Sequence, residues 1–134
     1  MIRIRYGTHG MGHAVRMGRL AKVLRQRGAT VDIRGYGTDP EPLDRFLRDY
    51  PGGTLVLDRS FNSDPLLEAI RPYVDKMMIV VGVGYSITQT TQWISDLILY
   101  QHCHRMTVKE VHGRIVPGAV VWGGPEYLLL NPLS

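Results

Sequence analysis

The chain has 134 residues, 44% of them hydrophobic and 21% charged, with a net charge of +4 and a single cysteine. A domain of this size buries roughly two-thirds of its unfolded surface and needs no staples, and one cysteine excludes an internal disulfide scaffold. The opening MIRIRYG is too short and too charged for a signal peptide, and no apolar run nears the ~20 residues that cross a bilayer, so the sequence predicts a cytoplasmic protein.

Residues 2–6 alternate apolar and polar, the period of a strand. A glycine-rich turn, Gly7 to Gly12, follows. Met17, Leu20, Ala21 and Leu24 then fall at helical spacing, and Gly28 stands where a helix C-terminal glycine belongs. Residues 30–36 read as a second strand. Asp39 with Pro40 opens a helix to about Arg48, and residues 54–58 form a third strand. Ser63 or Asp64, with Pro65, opens another helix to about Tyr73. The apolar run 77–83 fits a strand buried on both faces of a parallel sheet. A short helix over 88–94, a strand over 96–101 and a last strand over 119–122, ended by Gly123-Gly124-Pro125, complete the pattern; residues 102–117 give no clear signal. Strands alternating with helices predict an α/β fold: a Rossmann-like, doubly wound parallel sheet in one domain over residues 1–134.

In such sheets ligands bind beyond the carboxyl ends of the strands. The first loop there is Gly7-Thr8-His9-Gly10-Met11-Gly12-His13. Its glycines allow a ligand to approach the backbone, and it ends at a helix N-terminus, which favours anions. It is neither a dinucleotide fingerprint, because Val15 stands where a small residue is required and no acid ends the second strand, nor a P-loop, because no Gly-Lys-Ser/Thr follows. His13, at the helix entrance, suits a general base acting on water or a hydroxyl; the competing reading is a capping or packing histidine. Residues 1–34 carry eight basic residues (Arg3, Arg5, Arg16, Arg19, Lys22, Arg25, Arg27 and Arg34) against one acid, Asp32, and arginine outnumbers lysine 13 to 3. That bias fits either anionic partners or a solvated helix face.

Gly10-Met11-Gly12-His13-Ala14-Val15-Arg16, then Leu20-Ala21 and Leu24-Arg25-Gln26-Arg27-Gly28, resembles the opening G-x-G-H-x-x-R, L-A and R-G signature of the nucleotide-sugar hydrolases of pseudaminic and legionaminic acid synthesis. Leu57-Asp58 is similar to that family's third-strand aspartate. The segment from Ser95 to Gln101 is similar to its D-L-L-L-N-Q strand, and the segment from Gly124 to Pro132 to its G-P-x-Y-A-L-L-R-P stretch. The matches run in family order along nearly the whole chain. More distantly, the chain is similar to the GlcNAc transferase of peptidoglycan synthesis, whose glycine-rich loop also ends in histidine. The resemblance implies the N-terminal half of a glycosyltransferase-B fold and a nucleotide-activated sugar, UDP-linked by preference, as substrate. It further implies that His13 is the catalytic base at the anomeric carbon. Gly10, Met11 and Gly12 would let the loop approach the diphosphate, Arg16 would face phosphate, and Asp58 would sit near the cleft. No cofactor and no metal are implied.

Two departures qualify it. The family's Asp-Asp pair after the fourth strand is replaced by Val81-Gly82-Val83-Gly84. Residues 123–134 resemble the linker into a second domain, yet the sequence ends at Ser134. The expectation is therefore that a second subunit, a C-terminal domain or a homodimer completes the cleft, with a non-catalytic nucleotide- or partner-binding domain as the alternative. Nucleic-acid binding rests on charge alone, without a motif. His102, Cys103, His104 and His112 match no zinc spacing. Trp93, Trp122, Tyr85 and Tyr100 are expected in the core, and Gly82 to Ser86 is a candidate cleft lining.

Overall fold

The computed structural model describes residues 1–7, 11–35, 45, 47–59, 64–81, 87–101 and 120–123. Within them β1 (Ile2–Tyr6), β2 (Val31–Gly35), β3 (Thr54–Arg59), β4 (Lys76–Val81), β5 (Leu97–Tyr100) and β6 (Val121–Gly123) form a six-stranded sheet in the order β2-β1-β3-β4-β5-β6. Each pairing in it is parallel. The helices are α1 (Met11–Gln26), α2 (Asp64–Ile70), continued by a 3₁₀ turn (Arg71–Tyr73), and α3 (Gln89–Ile94); residues 47–49 are also helical.

The α/β alternation predicted from the sequence is thus present, and helices cover both faces. Side chains alternate across a strand, which divides the core in two. Ile4, Val31, Val56, Val80 and Leu99 face Met17 and Ala21 of α1. Leu55, Leu57, Met77, Ile79, Val81, Ile98 and Tyr100 face Leu47, Leu67 and Ile70 on the opposite side. Strands β3 and β4 carry apolar residues on both faces, which is why their sequences read as nearly continuous runs.

α1 ends as the sequence predicts. The Ala29 amide donates to the Leu24 carbonyl (3.0 Å) and the Gly28 amide to the Arg25 carbonyl (3.0 Å), a Schellman pair, with Gly28 at φ 91°. A Cβ on Gly28 would meet no atom within 4 Å. Gly28→Ala is therefore expected to cost about 1–2 kcal/mol through backbone strain alone, readable as a lower urea midpoint with an unchanged slope. Gly53, at φ 73°, is held differently: a Cβ there would lie 2.8 Å from the Met1 carbonyl oxygen. That close approach lets the chain enter β3 directly beside the start of β1.

Several boundaries differ from expectation. The first helix begins at Met11, so Met11 and Gly12 lie inside its first turn rather than in a loop. Tertiary packing of the long helix overrides the poor helical propensity of glycine. The last strand includes Gly123 instead of stopping before it. Thr88 caps α3, its hydroxyl accepting from the Thr91 amide. The strand predicted over 77–83 ends at Val81, with residues 82 and 83 outside the described set. The opening of the helix predicted from Asp39 and the unassigned stretch 102–117 also lie outside the described residues, as does the 124–132 match.

The basic N-terminal third is in large part structural. Arg3 and Arg5 are buried, 5% and 3% exposed, on the face of β1 away from α1. Arg3 donates to the carbonyls of Tyr50 and Gly52. Arg5 pairs with Asp32 (2.8 Å) and donates to the Asp32 carbonyl (3.0 Å). Arg25 donates to the Val31 carbonyl (2.8 Å). Burial pulls the pKa of both strand arginines down from the ordinary value. Burial alone would raise that of Asp32, but Arg5 and Arg34 more than offset it and hold the carboxyl below its usual range. No helix among the described residues is long and apolar enough to cross a membrane.

Candidate functional site

Strand order reverses direction at β1: β2 lies on one side of it and β3 to β6 on the other. This is the flavodoxin-like order extended by a strand, and its switch point is the crevice between β1 and β3. The chain leaves β1 at Tyr6 and starts α1 at Met11, above that crevice.

β3 delivers Asp58 there. Asp58 pairs in register with Tyr6 of β1 and Val80 of β4. Val56, two residues earlier, packs toward α1, so the alternation of the strand turns Asp58 to the same face. Its side chain is completely buried. A buried carboxylate costs several kcal/mol unless charge and hydrogen bonds offset it. α1 supplies both from positions one turn apart, which lie on one helix face. Nη2 of Arg16 donates to Oδ2 (2.9 Å) and Oδ1 (3.2 Å) of Asp58. Nδ1 of His13 lies 3.0 Å from Asp58 Oδ2 and 3.0 Å from Arg16 Nη2. His13 is 13% exposed and Arg16 21%, so solvent reaches both in part.

Thus three of the residues singled out from the sequence, His13, Arg16 and Asp58, form one bonded cluster. Gly12 sits in the first turn of α1 with nothing among the described residues within 4 Å of an added Cβ. Met11 is the first residue of α1. Gly10 lies outside the described residues, as do Gly82 to Ser86, His102, Cys103, His104 and His112. No group of three metal-ligating side chains occurs among the described residues. Trp93 (66% exposed) and Trp122 (49%), the latter on the terminal strand β6, are surface residues, against the expectation of core packing; Tyr100 is in the core as expected.

No protein-family model, curated protein or solved structure matches the chain. The chemistry of this cluster is what points to a function. It unites an imidazole that can exchange a proton, a buried carboxylate that anchors it and a cation. They meet beside the start of α1, where the amides of the first turn lack intrahelical partners. The cluster also has an unspent donor: Nε of Arg16 is buried and has no hydrogen-bond partner among the described residues. Such donors are uncommon and cost about 1–3 kcal/mol.

The direct link between Asp58 and α1 was the part that sequence reasoning missed. Its signal was strand parity, since Asp58 follows Val56 on the face that meets the first helix. A separate pocket of about 610 Å³, lined by Met1, Arg3, Asp32, Arg34, Tyr50 and Gly52 among others, lies at the β2 edge of the sheet. Arg3 there is committed to two backbone carbonyls and Arg34 to Asp32.

Proposed function

We propose that the chain is the N-terminal half of a nucleotide-sugar hydrolase or glycosyltransferase, with the second half of the cleft supplied by another subunit, a C-terminal domain or a second copy. The observation that carries this reading is the convergence of His13, Arg16 and Asp58 at the β1/β3 crevice, 3.0 Å or less separating His13 from Asp58 and Arg16 from Asp58 at their closest atoms. In a parallel α/β sheet that crevice is where ligands bind, and the three residues belong to the segments that resemble the sugar-nucleotide enzymes.

In this reading His13 takes the proton of a water or an acceptor hydroxyl as its oxygen attacks the anomeric carbon. The bond from that carbon to the diphosphate oxygen breaks, and the leaving nucleoside diphosphate keeps the electron pair. His13 then returns the proton to solvent. Charge grows on the diphosphate as the bond breaks, so fixed donors there stabilise the transition state. The amides at the start of α1 and Nε of Arg16, which has no partner among the described residues, are such donors.

A second reading, a binding domain without turnover, is favoured by one observation: glycines stand where the resembling family carries its Asp-Asp pair. Phosphorus NMR of a panel of UDP-sugars incubated with the protein separates the two. Release of UDP supports the catalytic reading. Line broadening without release supports the binding domain. Neither change rejects both.

A further inference from the structure

Nδ1 of His13 faces two groups with opposite demands. The carboxylate oxygen of Asp58, at 3.0 Å, can only accept a hydrogen bond; Nη2 of Arg16, also at 3.0 Å, can only donate one. A single ring nitrogen satisfies one of them at a time. If Nδ1 carried a lone pair, it would accept from Arg16 and set that lone pair against the carboxylate in a buried site. If Nδ1 carries the proton, it donates to Asp58; two donors then lie 3.0 Å apart, but Arg16 keeps its own acceptors, because its Nη2 already reaches both oxygens of the same carboxylate. The second arrangement leaves each group with a partner of the right kind. The first places two acceptors 3.0 Å apart at a residue with no solvent exposure to relieve them.

We infer that Asp58 is a positioning residue that fixes the neutral His13 ring as its Nδ1–H tautomer, with Arg16 holding Asp58 in place, so that Nε2 carries the lone pair and is the basic nitrogen of the site. The naming of Nε2 as the base rests on the function proposed above; the tautomer does not. A carboxylate that orients an imidazole in this way is what makes a histidine an effective base in acyl transfer, where it selects the tautomer without itself taking the proton. A histidine retained only for packing has no need of a buried charge behind it. Arg16 acts at one remove: it neutralises the carboxylate, leaving its oxygens as fixed acceptors, and it forces the geometry in which Oδ2 meets the ring.

The test is two-bond ¹H–¹⁵N correlation spectroscopy on the whole chain labelled with ¹⁵N-histidine, at a pH where the ring is neutral. His13→Gln assigns the signal among the five histidines. The expected spectrum shows Nδ1 protonated and Nε2 unprotonated, the unprotonated nitrogen resonating far downfield. Arg16→Met should keep that pattern. Asp58→Ala should convert it to the Nε2–H form, because the Arg16 donor then faces Nδ1 with the carboxylate gone. A wild-type ring protonated on Nε2 overturns the inference, and so does an Asp58→Ala ring that remains Nδ1–H. If Asp58→Ala does not fold, the wild-type and Arg16→Met spectra still decide. The measurement uses no ligand, so a correct tautomer without turnover would sink the proposed reaction and leave the positioning role standing.

Discussion

Asp58→Ala is expected to destabilise the fold by about 3–5 kcal/mol, the range for removing one partner from a buried ion pair. Asp58 is fully buried, and its partners His13 and Arg16 are mostly so, at 13% and 21% exposure. Its loss leaves the Arg16 guanidinium without this counter-charge, beside an Nε that has no hydrogen-bond partner among the described residues. Asn at this position keeps an acceptor and the side-chain volume, so it should cost less. Urea unfolding of the two variants checks the order. A loss below about 1 kcal/mol for Asp58→Ala would place the carboxylate in solvent and remove the anchor from the site. Replacing the whole cluster by apolar residues of similar volume is, by contrast, expected to be near neutral or stabilising, as for other buried ion networks. A cluster whose removal stabilises while one-sided damage destabilises is there for chemistry.

His13→Ala should act on rate and not on affinity. A positioned general base contributes roughly 10²–10⁴-fold, or about 2.7–5.4 kcal/mol of barrier at 1.36 kcal/mol per decade. The variant removes one hydrogen bond to Asp58, worth about 0.5–1.5 kcal/mol to stability, so it should fold. With a UDP-sugar turned over by the wild type, kcat should fall within that range while the dissociation constant stays near the wild-type value. An equal loss of affinity and rate would mean that His13 binds the substrate and does not activate the nucleophile.

Much of the fold was legible because its signals are local. Residues 54–58 read as a strand and the apolar run 77–83 as one buried on both faces; β3 and β4 are strands, and β4 has apolar residues buried on both faces. Gly28 read as a helix end, and its φ of 91° shows why glycine stands there. The failures came where long-range packing decides. Gly12 read as the end of a loop, yet it lies inside α1, as does Gly18, with nothing within 4 Å of a Cβ on either among the described residues. Their propensity cost is about 1 kcal/mol apiece, less than the burial of Met17 and Ala21 against the sheet returns. Arg3 and Arg5 alternate with apolar residues as an exposed strand face would, yet the 50–52 segment and Asp32 cover them. Trp93 and Trp122 show the reverse error, since composition alone does not say which side of an element is covered.

At the site, the sequence supplied His13, Arg16 and Asp58 as separate candidates. Their union follows from a sheet order that no local pattern contains. β3 must lie next to β1, and not next to β2, before Asp58 can meet the helix that follows β1.

Central to the account is that this cluster is where the ligand binds. Titration of the ¹⁵N-labelled protein with a UDP-sugar, followed by amide and side-chain chemical shifts, tests it most directly. The expected perturbations concentrate at His13, the Arg16 guanidinium and the first-turn amides of α1, and leave the β2-edge pocket around Asp32 and Tyr50 unmoved. Saturable shifts centred on that edge pocket, or none at all at millimolar ligand, would contradict it.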